Sequence, residues 1–184
     1  QAVGDWDKSA QVLADIAQRL EQAGADFIVI CTNTMHKVAP QIQKKIAIPI
    51  LHIAQATAQA LVDDGIRKVG LLGTKYTMTQ DFYKEKLLES GLEVLIPDQA
   101  GIADVNRIIY DELCLGDIRE SSKQTYLTVI DDLKNAGAEA VILGCTEIGL
   151  LVKQSDIALP LYDTTVIHAE KAAKMGIEWK NGCI

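Results

Sequence analysis

Apolar residues along this chain fall into two patterns, helical spacing and short unbroken runs. Val12, Leu13, Ile16 and Leu20 recur at helical spacing and predict a helix over 7–22. Gly24 closes it as a C-terminal glycine does, and an apolar run over 27–30 follows as a strand. The same helix–glycine–strand junction returns at Gly65, Gly91 and Gly137. Further strands are predicted over 48–53, 69–72, 93–96, 140–143 and 159–162, with Pro49 confined to a strand start or an edge. Helices are predicted over 38–45, 54–64, 102–115, 121–135, 148–152 and 165–175, and one more opens on the capping pair Thr77 and Gln80. The tail from Gly176 reads as irregular. Short runs that are apolar on both faces belong to parallel strands covered by helices. The class is therefore α/β with mostly parallel sheets.

One stretch repeats. Residues 23–34 read Ala-Gly-Ala-Asp, an apolar run, then Cys31-Thr32-Asn33-Thr34; residues 136–147 read Ala-Gly-Ala-Glu, an apolar run, then Gly144-Cys145-Thr146-Glu147. The copies lie 113 residues apart (23 to 136), too far for a solenoid, and suit two similar halves. The first half is 1–65 with the closing helix and tail, 165–184, packed back on it; the second is 66–164. The second half opens with a strand and a polar loop that have no counterpart in the first. The first half is thus expected to lack its opening strand, loop and helix, and a polypeptide starting at Gln1 to be poorly active. In the repeat register Cys145 matches Thr32, while Cys31 matches Gly144.

Composition narrows the function. The chain has 184 residues, is 48% hydrophobic and carries a net charge of −7 without a basic run. Nucleic acid and anionic membrane surfaces are poor partners for it, and no apolar run approaches the ~20 residues of a membrane span. Cys31, Cys114, Cys145 and Cys183 form no C-x-x-C pair, which argues against a disulfide framework and a four-cysteine zinc site and for reduced thiols in a cytoplasmic protein.

Candidate chemistry gathers after strand ends, where open α/β sheets place ligands. Cys145 ends a strand and opens a helix, a setting expected to favour a thiolate. Cys31 falls on the opposite face from Thr32 and reads as packing; Cys114 and Cys183 read as incidental. Thr32, Asn33, Thr34, Thr74, Thr77 and Thr146 supply neutral hydrogen bonds, suited to helix caps and to a cradle for small carboxylates. Glu147 is placed to orient Cys145 or to bind a substrate amine. No two of Cys31, His36, His52 and Cys145 show metal-ligand spacing, so no metal is assigned. Marks of dinucleotide, nucleoside-triphosphate and serine-hydrolase sites are absent.

Three motifs carry a family resemblance: Cys31-Thr32-Asn33-Thr34-Met35-His36, Leu71-Leu72-Gly73-Thr74 and Gly144-Cys145-Thr146-Glu147-Ile148. With them the chain resembles the aspartate/glutamate racemase family, in its acidic or broad-specificity bacterial branch. The resemblance implies two Rossmann-like domains with the active site between them. It implies no pyridoxal phosphate or other cofactor, a small amino-acid substrate and a homodimer. Family members use two cysteines, one on each face of the substrate α-carbon; Asn33 and Thr34 match the pair that holds the α-carboxylate. The family pattern is Cys-Asn-Thr, whereas Thr32 precedes Asn33 here. Only Cys145 therefore matches a catalytic cysteine, Thr32 stands in the other place, and deprotonation of the L-enantiomer is expected to dominate. A decarboxylase or cis–trans isomerase of a small dicarboxylic acid, and a non-catalytic amino-acid binder, are the alternatives. No arginine in these motifs matches a distal carboxylate; Lys75, Arg119 and Lys123 are the candidates.

Overall fold

The computed structural model describes residues 4–180; Cys183 and the rest of the tail from 181 lie outside the described residues. Helix α1 (Trp6–Gln22) is capped by Asp5, which accepts from the Lys8 N–H. Its buried side is Ala10, Ala14 and Ala17, while Val12, Ile16 and Leu20 are exposed. Trp6 and Leu13 pack beside the alanines, and the other three large apolar residues sit on the opposite face. Alanines allow the close approach to β1 (Ile28–Val29) and to the 3-10 turn Thr34–Val38, which runs into α2 (Ala39–Gln43).

Strand β1 pairs in parallel with β2 (Ile50–Leu51), both shorter than the apolar pattern suggested. Pro49 has no N–H to give, but its carbonyl accepts from Ile28 at the strand start. After α3 (Ile53–Asp63) comes β3 (Lys68–Gly73), the first strand of a second sheet. With β4 (Glu93–Leu95), β5 (Ala140–Gly144) and β6 (Leu161–Asp163) it forms a parallel sheet in the order β4-β3-β5-β6. β5 is buried along its whole length, which explains its unbroken apolar run. On one face Leu133, Val105 and Tyr126 from α6 (Gln99–Asp111) and α7 (Glu120–Asn135) cover Leu72 and Val141. On the other, Ile53, Ala54 and Leu61 of α3 pack with Leu71 and Ile142, beside Ile167 of α9 (Thr164–Lys180).

Three helices also depart from the sequence pattern. Thr77 does not open a helix: Thr74 caps α4 (Lys75–Thr79) by accepting from the Thr77 N–H, and extended Gln80 separates α4 from α5 (Asp81–Glu89). α6 starts at Gln99 because Asp98 caps it, accepting from Gly101 N–H at 2.8 Å. α9 continues past Gly176 to Lys180, so the expected irregular tail is helical as far as it is described. Among the described residues no helix is long and apolar enough to cross a membrane.

Candidate functional site

Parallel strands put their C-terminal ends on one edge, and β3 and β5 finish there side by side, Gly73 opposite Gly144. Both must be glycine for steric reasons. A Cβ on Gly144 would stand 2.7 Å from the Leu72 carbonyl oxygen, and one on Gly73 would stand 2.9 Å from that of Gly144. This tight pairing delivers Thr74 and Cys145 to the same place. The loop after β1 brings Thr32, Asn33 and Thr34 to face them. The cleft between is a cavity of about 180 Å³, walled by these residues together with Thr146, Glu147, Ile109, Tyr110 and Cys114.

Hydrogen bonds tie its two walls. Thr34 and Thr74 hydroxyls meet at 3.4 Å, and Thr74 meets Thr77 at 3.3 Å. Thr77 is fully buried behind Thr74 and supports it from outside the cleft wall. Asn33 Nδ2 donates to the Thr164 hydroxyl at 3.1 Å, and that hydroxyl donates to the Leu143 carbonyl at 2.9 Å. Because the carbonyl can only accept, Thr164 has no proton left for Asn33, and the amide orientation is settled: nitrogen toward Thr164, oxygen away. Asn33 Oδ1 is then a buried acceptor with no partner among the described residues. A buried acceptor of this kind costs about 1–3 kcal/mol until a donor reaches it.

Cys145 is the half-buried thiol of this cleft. Its thiol donates to Glu147 Oε2 at 2.9 Å. Burial pushes the thiol pKa well up, and the hydrogen bond to and charge of Glu147 push it further. This corrects the expectation of a depressed pKa. The helix that follows, α8 (Ile148–Leu151), has only four residues and starts three positions after Cys145, so its dipole is small and distant. Glu147 itself is opposed by burial, yet the hydrogen bonds from Cys145 and Thr146 outweigh that and hold it below the ordinary range. The resting pair is thus a thiol beside a carboxylate, a proton acceptor already in contact. Glu147 also raises the Cys114 thiol, after burial, and contributes to raising Tyr110.

Cys31 does not line this cleft; it is exposed, its sulfur turned to the Val29 carbonyl. Nor do the candidate cations. Arg119 pairs with Asp117, and Lys123 with Asp156 at 2.6 Å. The Lys75 backbone N–H donates to Asn106, and its side chain is no part of the wall. Among the described residues no three metal-ligating side chains converge. Sequence reasoning missed Ile109, Tyr110 and Cys114. Tyr110 lies in the last turn of α6 and Cys114 in the 3-10 turn Leu113–Leu115 that follows it, each next to a buried residue, Ile109 and Leu113.

The family model Asp/Glu/Hydantoin racemase matches residues 1–172. The broad specificity amino-acid racemase RacX of Bacillus subtilis (strain 168) is 24% identical over 177 residues, 96% of this chain and 76% of the relative. A solved structure from Yersinia pestis, assigned to the Asp/Glu racemases, is 51% identical with a TM-score of 0.92, over 96% of this chain and 77% of the other. An aspartate racemase homologue from Pyrococcus horikoshii OT3 is 38% identical with a TM-score of 0.84, over 93% and 75%.

Proposed function

The chain belongs to the Asp/Glu/Hydantoin racemase family, and from that premise we propose that it is a cofactor-independent amino-acid racemase acting on aspartate or glutamate. One observation carries the proposal: a half-buried thiol held against a carboxylate, facing a wall of hydroxyls and an amide across a cavity of small-molecule scale.

In this reading Cys145 gives its proton to Glu147, and the thiolate takes the α-hydrogen of the L-enantiomer. The S–H bond breaks as the O–H bond of Glu147 forms. Then the C–H bond breaks as S–H re-forms, leaving its electron pair on the α-carbon. Hydroxyls of Thr34, Thr74 and Thr146 suit the α-carboxylate. Asn33 Oδ1, as an acceptor, suits the α-ammonium, so its role differs from the carboxylate contact that the resemblance implied. Thr32 stands on the opposite wall. An alcohol does not ionise near neutral pH, so Thr32 can relay a proton to the carbanion, taking one from solvent water as it gives its own while Glu147 returns its extra proton to solvent, but it abstracts one poorly. Exchange from the L-side therefore outpaces the D-side, although the final enantiomer ratio in achiral solvent stays at unity. A homodimer is the proposed assembly, with light scattering as its check.

The test is a chiral assay of L- and D-amino acids with the full-length protein. Conversion of L-aspartate or L-glutamate to the D-form is expected. Carbon dioxide release from malonate-type acids without racemisation points to a decarboxylase instead, and binding without any exchange to a non-catalytic protein.

A further inference from the structure

The chain's three histidines, far apart in sequence, come together behind the wall that carries Thr32. His36 lies against His52 with ring centroids 4.5 Å apart and planes inclined by 60°, and meets His168 at 5.8 Å. His36 is buried, and both its nitrogens are occupied. Nε2 lies 3.1 Å from the Ile53 N–H, which can only donate, so Nε2 carries no proton. Nδ1 lies 2.8 Å from the Thr32 carbonyl, which can only accept, so Nδ1 carries one. The ring is neutral and its tautomer is fixed. Burial keeps it so, lowering its pKa to about 4.

Those two bonds serve different ends. Ile53 opens α3, and its N–H is one of the donors that a helix start leaves without an intrahelical partner. That bond is structural. The Thr32 carbonyl belongs to the loop that forms the cleft wall. The Thr32 N–H is held by Ile30 at 2.8 Å, and the next residue, Asn33, by Thr164. With the carbonyl also held, the Thr32 backbone is fixed on both sides of its Cα, and with it the direction in which the side chain leaves the loop.

We propose that His36 is a positioning residue for the D-face of the reaction: through Nδ1–H to the Thr32 carbonyl it sets the place of the Thr32 hydroxyl, and so the rate at which a proton returns to the carbanion. This rests on the racemase reading. It separates two rates that a simple folding role would move together, α-deuterium uptake from L-substrate, which needs Cys145, and formation of D-product, which needs Thr32.

The two bonds can be removed one at a time. In His36→Asn the amide nitrogen takes the place of Nδ1 and can still donate to Thr32, while the acceptor for Ile53 is lost. In His36→Gln the amide oxygen takes the place of Nε2 and can still accept from Ile53, while the donor to Thr32 is lost. Expected is that His36→Gln forms D-product roughly tenfold or more slowly, while deuterium uptake from L-substrate stays within about threefold of wild type. His36→Asn is expected to keep both rates within about threefold, even with a lowered melting temperature. Equal loss of both rates in His36→Gln, or parallel losses in both variants that follow their melting temperatures, overturns the assignment. A histidine ¹⁵N spectrum of the wild-type chain tests it without any variant: Nδ1–H is expected for His36, and Nε2–H overturns it. A full-length wild-type protein that exchanges no α-deuterium with any amino acid overturns the racemase reading and this assignment with it, a result identified by involving no substitution.

Discussion

Replacing Glu147 with Gln removes the negative charge nearest to the Cys145 sulfur. The contact is 2.9 Å. At that distance two unit charges interact by about 1.4 kcal/mol in bulk water and about 6 kcal/mol at an effective dielectric near 20. Glu147 is only half-buried and borders the open cleft, so solvent screens it and the lower part of that range applies. With about 1.36 kcal/mol per pKa unit, the Cys145 thiol should ionise about one to two units lower in Glu147→Gln. Burial, the larger cause of the raised pKa, is unaffected. The assay is alkylation by iodoacetamide as a function of pH, read at the Cys145 peptide by mass spectrometry so that exposed Cys31 and Cys114 do not interfere. Turnover should move the other way, falling about 10²-fold or more, because the amide cannot accept the thiol proton. A thiol that ionises more easily in a slower enzyme is the signature of a proton acceptor. An alkylation midpoint that stays or rises, or turnover that survives, refutes the assignment of Glu147.

Other perturbations follow from the same geometry. Cys145→Ser should abolish exchange from L-substrate, Cys31→Ser should be mild, and Thr32→Cys should raise deuterium uptake from the D-enantiomer; equal loss in Cys31→Ser and Cys145→Ser contradicts this. Gly144→Ala forces a Cβ to within 2.7 Å of the Leu72 carbonyl and should cost about 1–3 kcal/mol in a urea unfolding curve. Burial first, then the charges of His36 and Lys86, lower the pKa of His52 to about 3. Its unfolded pKa is about 6.5, so the unfolded chain binds more protons between the two values. Stability from this group is complete above about pH 6.5 and is lost as pH falls toward 3. His52→Asn keeps a helix cap without titrating, so its melting temperature should fall less steeply across that window.

Much of this was legible in the sequence because the fold obeys local rules. Gly24, Gly65, Gly91 and Gly137 all take positive φ, from 75 to 97°, at the helix–strand junctions where the pattern placed them. The repeat register placed Thr32 and Cys145 together, and both line the cleft while Cys31 does not. What was not legible depends on distant or competing groups. Thr77 and Gln80 have the spacing of a capping pair, but Thr74 three residues earlier captures the cap and Gln80 turns extended. Val12, Ile16 and Leu20 have helical spacing, yet the alanines of α1 make the packing face. The Cys145 pKa follows from burial and a carboxylate two residues on, which outweigh a four-residue helix. The cluster of His36, His52 and His168 has no sequence signal, because three separate segments build it.

The most direct test of a racemase driven by Cys145 is solvent exchange in D₂O with chiral separation of the products. L- and D-aspartate and L- and D-glutamate are supplied in parallel to wild type and Cys145→Ser. Expected are α-deuterium in recovered L-substrate before D-product accumulates, slow exchange from the D-enantiomers, and neither reaction in Cys145→Ser. Wild type that incorporates no deuterium, or Cys145→Ser that exchanges as fast as wild type, contradicts this reading.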